Sequence, residues 1–457
     1  MFTDPAEAFR GITPELLNRL GRPVPRYTSY PPVPAWGRDF GAAAYREALE
    51  RAAAEPGVPL SVYVHLPFCA LRCLYCGCNV RITSRKDRID AYLDRLEREM
   101  DLVTEVLGRG RRVSQIHLGG GTPNYLADAQ LERLGGMLRE RFRMDSWADA
   151  SIEVDPRHAS AGQFAVLRKL GFCRMSLGVQ DLDPEVQQAI GRIQPLELVR
   201  RVAYEARAAG FGSVNLDLIY GLPRQTEAGF AATIESVLTL APDRIACFGY
   251  AHVPTVQPHQ RALERYGLPE AQRRFALNRV AIEMLVGGGY RWIGFDHFAR
   301  PDDALAIAAA SGRLHRNFNG YTVMPAKHLL AFGMSAISEV GGCLAQGDGN
   351  LSGWEAAIDA GRLPVVRGHR LTADDLARRA AILDLMCRLE LPASVGEGAL
   401  AGSFERLLAF AEDGLVEGGD ARVRVTPRGR LFLRTLCSVF DAYLPDAPAE
   451  RPMARAI

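Results

Sequence analysis

Two rhythms of apolar residues alternate along the chain. Short runs rich in β-formers occupy residues 60–65, 113–118, 150–155, 173–178, 213–219 and 244–249. Between the first two, Ile89, Tyr92, Leu93, Leu96, Met100 and Val103 recur at the spacing of an amphipathic helix over 86–107. The same spacing predicts helices over 128–142, 160–170, 195–209 and 230–240. Strands alternating with helices predict the α/β class, with a parallel sheet covered by helices. Six such units over roughly two hundred residues fit a partial barrel better than a complete eight-unit one. In such sheets reactive groups gather at the carboxyl ends of the strands.

The pattern changes further on. A helix fits 270–287, a strand 290–295, and a polar connector 345–350. From Leu371 the chain reads as helices over 374–391 and 404–413, then a small hairpin through 414–416, Gly418-Gly419 and 423–425, then a final helix over 429–443. That order is similar to a winged helix. Its basic residues do not cluster as a nucleic-acid footprint would, which favours a packing lid over DNA binding. The expected organisation is an N-terminal arm (1–50), a barrel with its extension (51–360) and a mainly helical C-terminal domain (361–457).

Composition narrows the class without naming it. With 24% charged and 48% hydrophobic residues and a net charge of +2, the chain reads as an ordinary soluble protein with no global pull on nucleic acid. No apolar stretch reaches the length of a membrane span, and Met1 to Leu20 lacks the apolar core of a secretory signal. Nine cysteines without such a signal fit a reducing cytoplasm.

Three of those cysteines carry the strongest chemical signal. Cys69, Cys73 and Cys76 stand as C-x3-C-x2-C directly after the first strand. Three thiolates from one loop can hold three corners of a 4Fe–4S cubane and leave the fourth iron open, whereas clusters with four cysteine ligands mostly carry electrons. The open position suits the amino and carboxylate groups of S-adenosylmethionine, whose sulfonium can then accept an electron and fragment to a carbon radical. A zinc site usually needs a second ligand pair downstream, and none follows. Cys78 reads as lining the site rather than as a fourth ligand. Cys173, Cys247, Cys343, Cys387 and Cys437 are scattered singly and read mostly as small core residues.

The strand ends add to this. Gly119-Gly120-Gly121-Thr122-Pro123 closes the second strand beside the cysteine loop. Such a run is either a tight turn or a place where backbone N–H groups approach a ligand. Glu153 and Asp155 end the third strand on one face, where a carboxylate could meet an ammonium or ribose hydroxyls. Ser176 to Asp181 and Asp217 to Pro223 end the next two. His65 is either a proton donor or a residue packing the strand end.

Together these segments resemble the oxygen-independent coproporphyrinogen III dehydrogenases (oxidases), radical S-adenosylmethionine enzymes of heme synthesis. The resemblance runs through Arg26-Tyr27-Thr28-Ser29-Tyr30-Pro31, the cysteine loop with its C-x-C step, the glycine turn, Ser176–Asp181 and Asp217–Pro223. It continues through Tyr250-Ala251-His252, Asp296 to Asp303 and His315-Arg316-Asn317-Phe318. It implies a six-unit barrel with an arm and a C-terminal helical domain, and two bound S-adenosylmethionine molecules. By motif, the first would meet Tyr63, Gly120, Glu153 and Ile337, and the second Gly121, Thr122, Gln180, Arg192, Asp217 and Ala251. His65 and Cys78 are the implied catalytic candidates. Arg26, Arg300 and Arg316 could hold substrate propionates or form ion pairs. The implied partners are coproporphyrinogen III and an electron donor such as flavodoxin or ferredoxin, acting on a cytoplasmic monomer. Asn319 departs from the family's Asn-Phe-Gln-Gly-Tyr-Thr-Thr, being one methylene shorter than the glutamine. A heme-binding chaperone of the same superfamily, or a radical enzyme for another tetrapyrrole, is the competing reading. The chaperone branch typically lacks the fourth cysteine and the arm motif, and this chain has both.

Overall fold

A computed structural model describes residues 4–444, with backbone alone at 146–148; residues 1–3 of the arm and 445–457 of the C-terminal region lie outside the described residues. Its core is one twelve-stranded sheet. The strands in chain order are β1 (Leu60–Leu66), β2 (Arg111–Gly120), β3 (Phe142–Val154), β4 (Arg174–Gln180), β5 (Ser213–Tyr220) and β6 (Arg244–Gly249). Then come β7 (Arg291–Gly294), β8 (His297–Ala299), β9 (His328–Phe332), β10 (Ile337–Val340), β11 (Cys343–Gly347) and β12 (Val365–Arg370). They lie in the order β12-β11-β10-β9-β1-β2-β3-β4-β5-β6-β8-β7. From β9 to β6 every neighbouring pair is parallel. The strands outside this block pair antiparallel.

The six expected βα units are present, and β9 adds a further parallel strand beside β1. The connector expected at 345–350 begins as strand β11. Its polar look misleads because β11 is a short antiparallel strand, only part of whose register is apolar. The helix Lys86–Leu107 buries the six residues that predicted it. Each such side chain taken out of water is worth about 1.5–3 kcal/mol. On β5 the pattern alternates: Val214, Leu216 and Leu218 are buried, while Asn215 and Asp217 are only partly so and line the barrel's inner cavity. The barrel therefore presents polar groups inward and apolar groups to its helices.

The C-terminal region packs helix Ala373–Arg388, capped by Thr372 and Asp375, against a three-stranded sheet of Glu390–Pro392, Val416–Gly418 and Arg422–Val425. The hairpin is as expected, and the third strand was hidden in the end of the expected helix. The final helix is broken into Pro427–Leu431 and Leu433–Ser438 around Phe432. The arm is tied to this region: Tyr27 donates to Asp441 at 3.1 Å, Tyr30 to the Phe440 carbonyl at 3.3 Å, and Thr435 to the Leu20 carbonyl at 2.9 Å. Further along, Gly37 forms an antiparallel bridge with Gly368 of β12. No helix among the described residues is long and apolar enough to cross a membrane.

Candidate active site

The cysteine loop is held at its base. Phe68–Cys69 pairs in parallel with Arg81–Ile82, and the Arg81 and Thr83 amides donate to the Pro67 and Cys69 carbonyls at 2.7 and 3.2 Å. Cys69, Cys73, Cys76 and Cys78 line one cavity of about 250 Å³ with the glycine turn, Glu153 and Asp155. Among the described residues no three ligating side chains converge on a single metal ion. A cubane takes one thiolate per iron, so thiols placed around one shared cavity fit a 4Fe–4S cluster. Cys69 lies 3.1 Å from the Thr122 hydroxyl, and the Cys78 amide donates to the Cys76 sulfur at 3.4 Å. Burial pushes the Cys69 thiol up to about 11. Hydrogen bonding from Cys78, against burial, holds Cys76 down at about 7, with help from Arg72 and Arg192.

A second segment, absent from the sequence reading, grips the loop from outside. After β6, Gln260, His259 and Gln257 donate to the successive carbonyls of Tyr75, Cys76 and Gly77 at 3.0, 2.9 and 3.0 Å. No motif advertised this, because side chain to backbone contacts leave no periodicity.

The glycine run is both a turn and a site element. The Gly121 and Thr122 amides donate to the Leu66 and Phe68 carbonyls at 2.8 and 3.0 Å, stitching the turn to the cysteine loop. Gly120 has φ +113°, and a Cβ there would meet the His65 ring at 2.7 Å. Its N–H donates to Glu153 at 3.1 Å. Glu153 is also 3.4 Å from His117, and its side chain, 44% exposed, faces the cavity. Burial acts to raise the Glu153 carboxyl, but His117 and the Gly120 amide hold it below its ordinary value.

His65 has a partner at each ring nitrogen. Nε2 lies 3.0 Å from the Asn79 carbonyl, which can only accept, so Nε2 carries the proton; Nδ1 then accepts from the Tyr63 hydroxyl at 3.1 Å. Burial lowers its pKa, so the ring is neutral. Tyr63, His65, Cys78, Gly120, Glu153 and Ile337 line a larger cavity of about 1010 Å³, which meets the first along Gly77, Cys78, Gly120 and Glu153.

Gly121, Thr122, Gln180, Arg192 and Asp217 face the smaller cavity. Gln180 stands at a β-bulge between β4 and β5 with φ +66°, a strained conformation that turns its side chain inward. Ala251 follows β6 and lines neither cavity. Asp155, expected to be free for an ammonium or a ribose, is held instead by Arg157 at 2.7 Å and Arg192 at 3.0 Å. Burial opposes this, yet the two arginines keep its carboxyl at about 2. Both also approach the Cys73 sulfur, at 3.8 and 3.5 Å. Arg157 was missed; its position two residues past Asp155, in a turn whose amide the Asp155 carboxylate accepts, was the available signal. Deeper in the barrel Asp217 accepts from Ser176 at 2.6 Å and Asn215 at 2.7 Å. Burial raises it to about 6, and the charge of Glu153 adds to the rise.

The three candidate arginines part company. Arg300 forms an exposed pair with Asp302. Arg26 donates to the Gly249 carbonyl at 3.0 Å and stands over Phe248, which lines the smaller cavity. Arg316 stacks on Tyr321 and Phe295 with Nε and Nη1 buried and unpartnered.

Comparison with known proteins agrees with this arrangement. Residues 63–237 match the radical SAM superfamily and residues 371–432 the HemN C-terminal domain. The oxygen-independent coproporphyrinogen III oxidase of Escherichia coli (strain K12) is 42% identical over 450 residues, 97% of this chain and 98% of that protein. The enzyme of the same name from Synechocystis is 40% identical over 455 residues, 97% of each. The solved structure of the coproporphyrinogen III oxidase HemN from Escherichia coli, described as a radical SAM enzyme, superposes with a TM-score of 0.87 at 43% identity. It covers 92% of this chain and 98% of that one. The chain belongs to the oxygen-independent coproporphyrinogen III oxidases. The radical SAM portion of this oxidase family member, 63–237, carries the cysteine loop, the glycine turn and the ends of β3 to β5. Its HemN portion carries the helix Ala373–Arg388 and the three-stranded sheet, and the residues that tie down the arm follow just after it.

Proposed function

We propose that the chain converts two propionates of coproporphyrinogen III to vinyl groups without oxygen, giving protoporphyrinogen IX. The observation that carries this reading is the convergence of three thiols, the glycine turn and Glu153 on one cavity, in a chain aligned almost end to end with oxidases of that name. Cys69, Cys73 and Cys76 would hold a 4Fe–4S cluster, which when bound would supply the one-electron reductive cleavage of S-adenosylmethionine. The chain's own residues bind, orient and enclose. Glu153 and the Gly120 backbone offer an acceptor and close approach for the amino-acid end of a first cosubstrate, with Tyr63 and Ile337 on the adjoining wall. Gln180, Arg192 and Asp217 would face a second, with Ala251 set back from the cavity. The neutral His65 keeps Tyr63 oriented rather than supplying a free proton. The larger cavity suits a tetrapyrrole, and exclusion of water and oxygen there protects a primary carbon radical from side reactions.

An acidic one-electron carrier such as flavodoxin or ferredoxin would dock over the cysteine loop. Leu71, 67% exposed between two of the cysteines, and the exposed Arg72 beside it support that face. We place the protein in the cytoplasm as a monomer, with 361–457 acting as a closing unit. The test is anaerobic reconstitution with iron and sulfide, then turnover with S-adenosylmethionine, reductant and coproporphyrinogen III. Release of carbon dioxide with vinyl formation supports the reading. Tight heme binding without it hands the case to a chaperone.

A further inference from the structure

Two arginines line the large cavity where the arm meets the sheet. Arg38 comes from the arm and Arg367 from β12, and both line the cavity that holds Tyr63, Cys78 and Ile337. Gly37 and Gly368 exchange both backbone hydrogen bonds, each at 3.0 Å, in an antiparallel bridge. One step along an antiparallel bridge, residue 38 stands opposite residue 367. The bridge needs glycine: a Cβ on Gly368 would lie 2.4 Å from the Phe40 ring and from the Leu344 carbonyl. The fold therefore sets two cations side by side from segments more than three hundred residues apart.

Neither cation is neutralised. Among the described residues no ion pair includes Arg38 or Arg367, and Arg367 spends only its Nε, on Gln346 at 2.6 Å. The acids lining the cavity are engaged elsewhere: Glu153 with His117 and the Gly120 amide, and Asp348 with the Asn350 amide at 2.8 Å. Burial and the neighbouring Arg38 charge both depress the Arg367 guanidinium. Juxtaposed like charges are costly unless an anion bridges them, and the guanidinium fork matches a carboxylate.

We propose that Arg38 and Arg367 form a carboxylate-binding rim that anchors a propionate of the tetrapyrrole substrate and so sets which edge of the ring faces the cysteine loop. This rests on the function proposed above and adds residues outside the arginines singled out from the sequence. The pair lies in the same cavity as Cys78 and Glu153, so a substrate held there by one arm has another directed inward.

The test uses the anaerobically reconstituted holoenzyme. Coproporphyrin III, the oxidised tetra-acid that cannot react, is titrated by fluorescence alongside its tetramethyl ester. The wild type should bind the acid more tightly than the ester. Arg38→Gln and Arg367→Gln should each weaken the acid by roughly tenfold or more, the scale of a lost charged hydrogen bond, and leave the ester unchanged. Lysine at either position should restore part of the loss, because it keeps the charge without the fork. In turnover the same glutamine variants should raise KM for coproporphyrinogen III by a like factor while 5′-deoxyadenosine formation keeps its rate. Arg300→Gln, on its exposed pair, should bind and turn over as the wild type. Glutamine variants that bind the acid like the wild type, or lose acid and ester equally, overturn the rim while the functional reading stands. A wild type that converts no coproporphyrinogen III overturns both.

Discussion

Asp217→Asn should stabilise the protein at neutral pH and leave it unchanged in acid. The carboxyl sits inside the barrel on β5, held by Ser176 and Asn215. Burial and the nearby Glu153 charge raise it from 3.8 to about 6. A folded-state value above the unfolded one means the native protein holds a proton that the unfolded chain has released. Stability then falls as pH rises through the window from about 4 to 6 and stays low above it. At about 1.4 kcal/mol for each tenfold change in proton affinity, the shift corresponds to about 3 kcal/mol at pH 7. An amide cannot ionise, so the variant escapes that cost. Urea unfolding of wild type and variant at matched pH values between 4 and 8 isolates the effect, because titrating groups that do not sense Asp217 cancel in the difference. The difference should be near zero at pH 4 and grow to about 3 kcal/mol by pH 7, favouring the variant. A flat difference, or a wild type that is the more stable at pH 7, refutes the reasoning. Turnover should fall even as stability rises, since an amide at that position cannot present a carboxylate to a cosubstrate.

Gly120→Ala should cost about 1–2 kcal/mol for the left-handed backbone alone, and more as the new Cβ pushes His65 off Tyr63 and Asn79; thermal unfolding of the cluster-free protein measures it. Arg192→Leu should destabilise by about 3 kcal/mol, because it strips one of two cations from the buried Asp155, with denaturant midpoints as the readout. Alanine at Cys69, Cys73 or Cys76 should abolish cluster absorbance after reconstitution, whereas Cys78→Ala should keep it; loss in the Cys78 variant would reverse the ligand assignment. Glu153→Ala should keep the cluster but stop 5′-deoxyadenosine formation, assayed by chromatography.

The barrel strands were legible because strands covered by helices read as apolar runs with abrupt polar ends. Those polar ends, at Glu153, Gln180 and Asp217, are where the cavity lies. Strand β3 reaches back to Phe142, into the end of the expected helix 128–142, because Phe142 to Met144 pair with the start of β2. Strands β9, β10 and β12 had no counterpart in the sequence pattern. They are short: β9 takes its place by parallel pairing with the distant β1, and β10 and β12 follow from it through antiparallel pairing with their chain neighbours. The cysteine loop stood out by its spacing, while Arg157, the glutamine and histidine grip on the loop, and the Arg38–Arg367 rim did not. The grip and the rim work through contacts between distant segments, of which local spacing carries no trace, whereas Arg157 had only its place two residues past Asp155 to mark it.

The tie between the arm and the C-terminal region also sets an order of assembly. The Tyr27–Asp441 contact joins residues 414 apart, and Thr435 meets the Leu20 carbonyl across 415. Closing loops of that length is slow and comes after local contacts have formed. During synthesis, then, the barrel and its cysteine loop are complete while the arm still waits for its partner. The arm's hydrogen bonds to Thr435, Phe440 and Asp441 are therefore among the last contacts of the fold to form, and the final segment to be synthesised fastens the first.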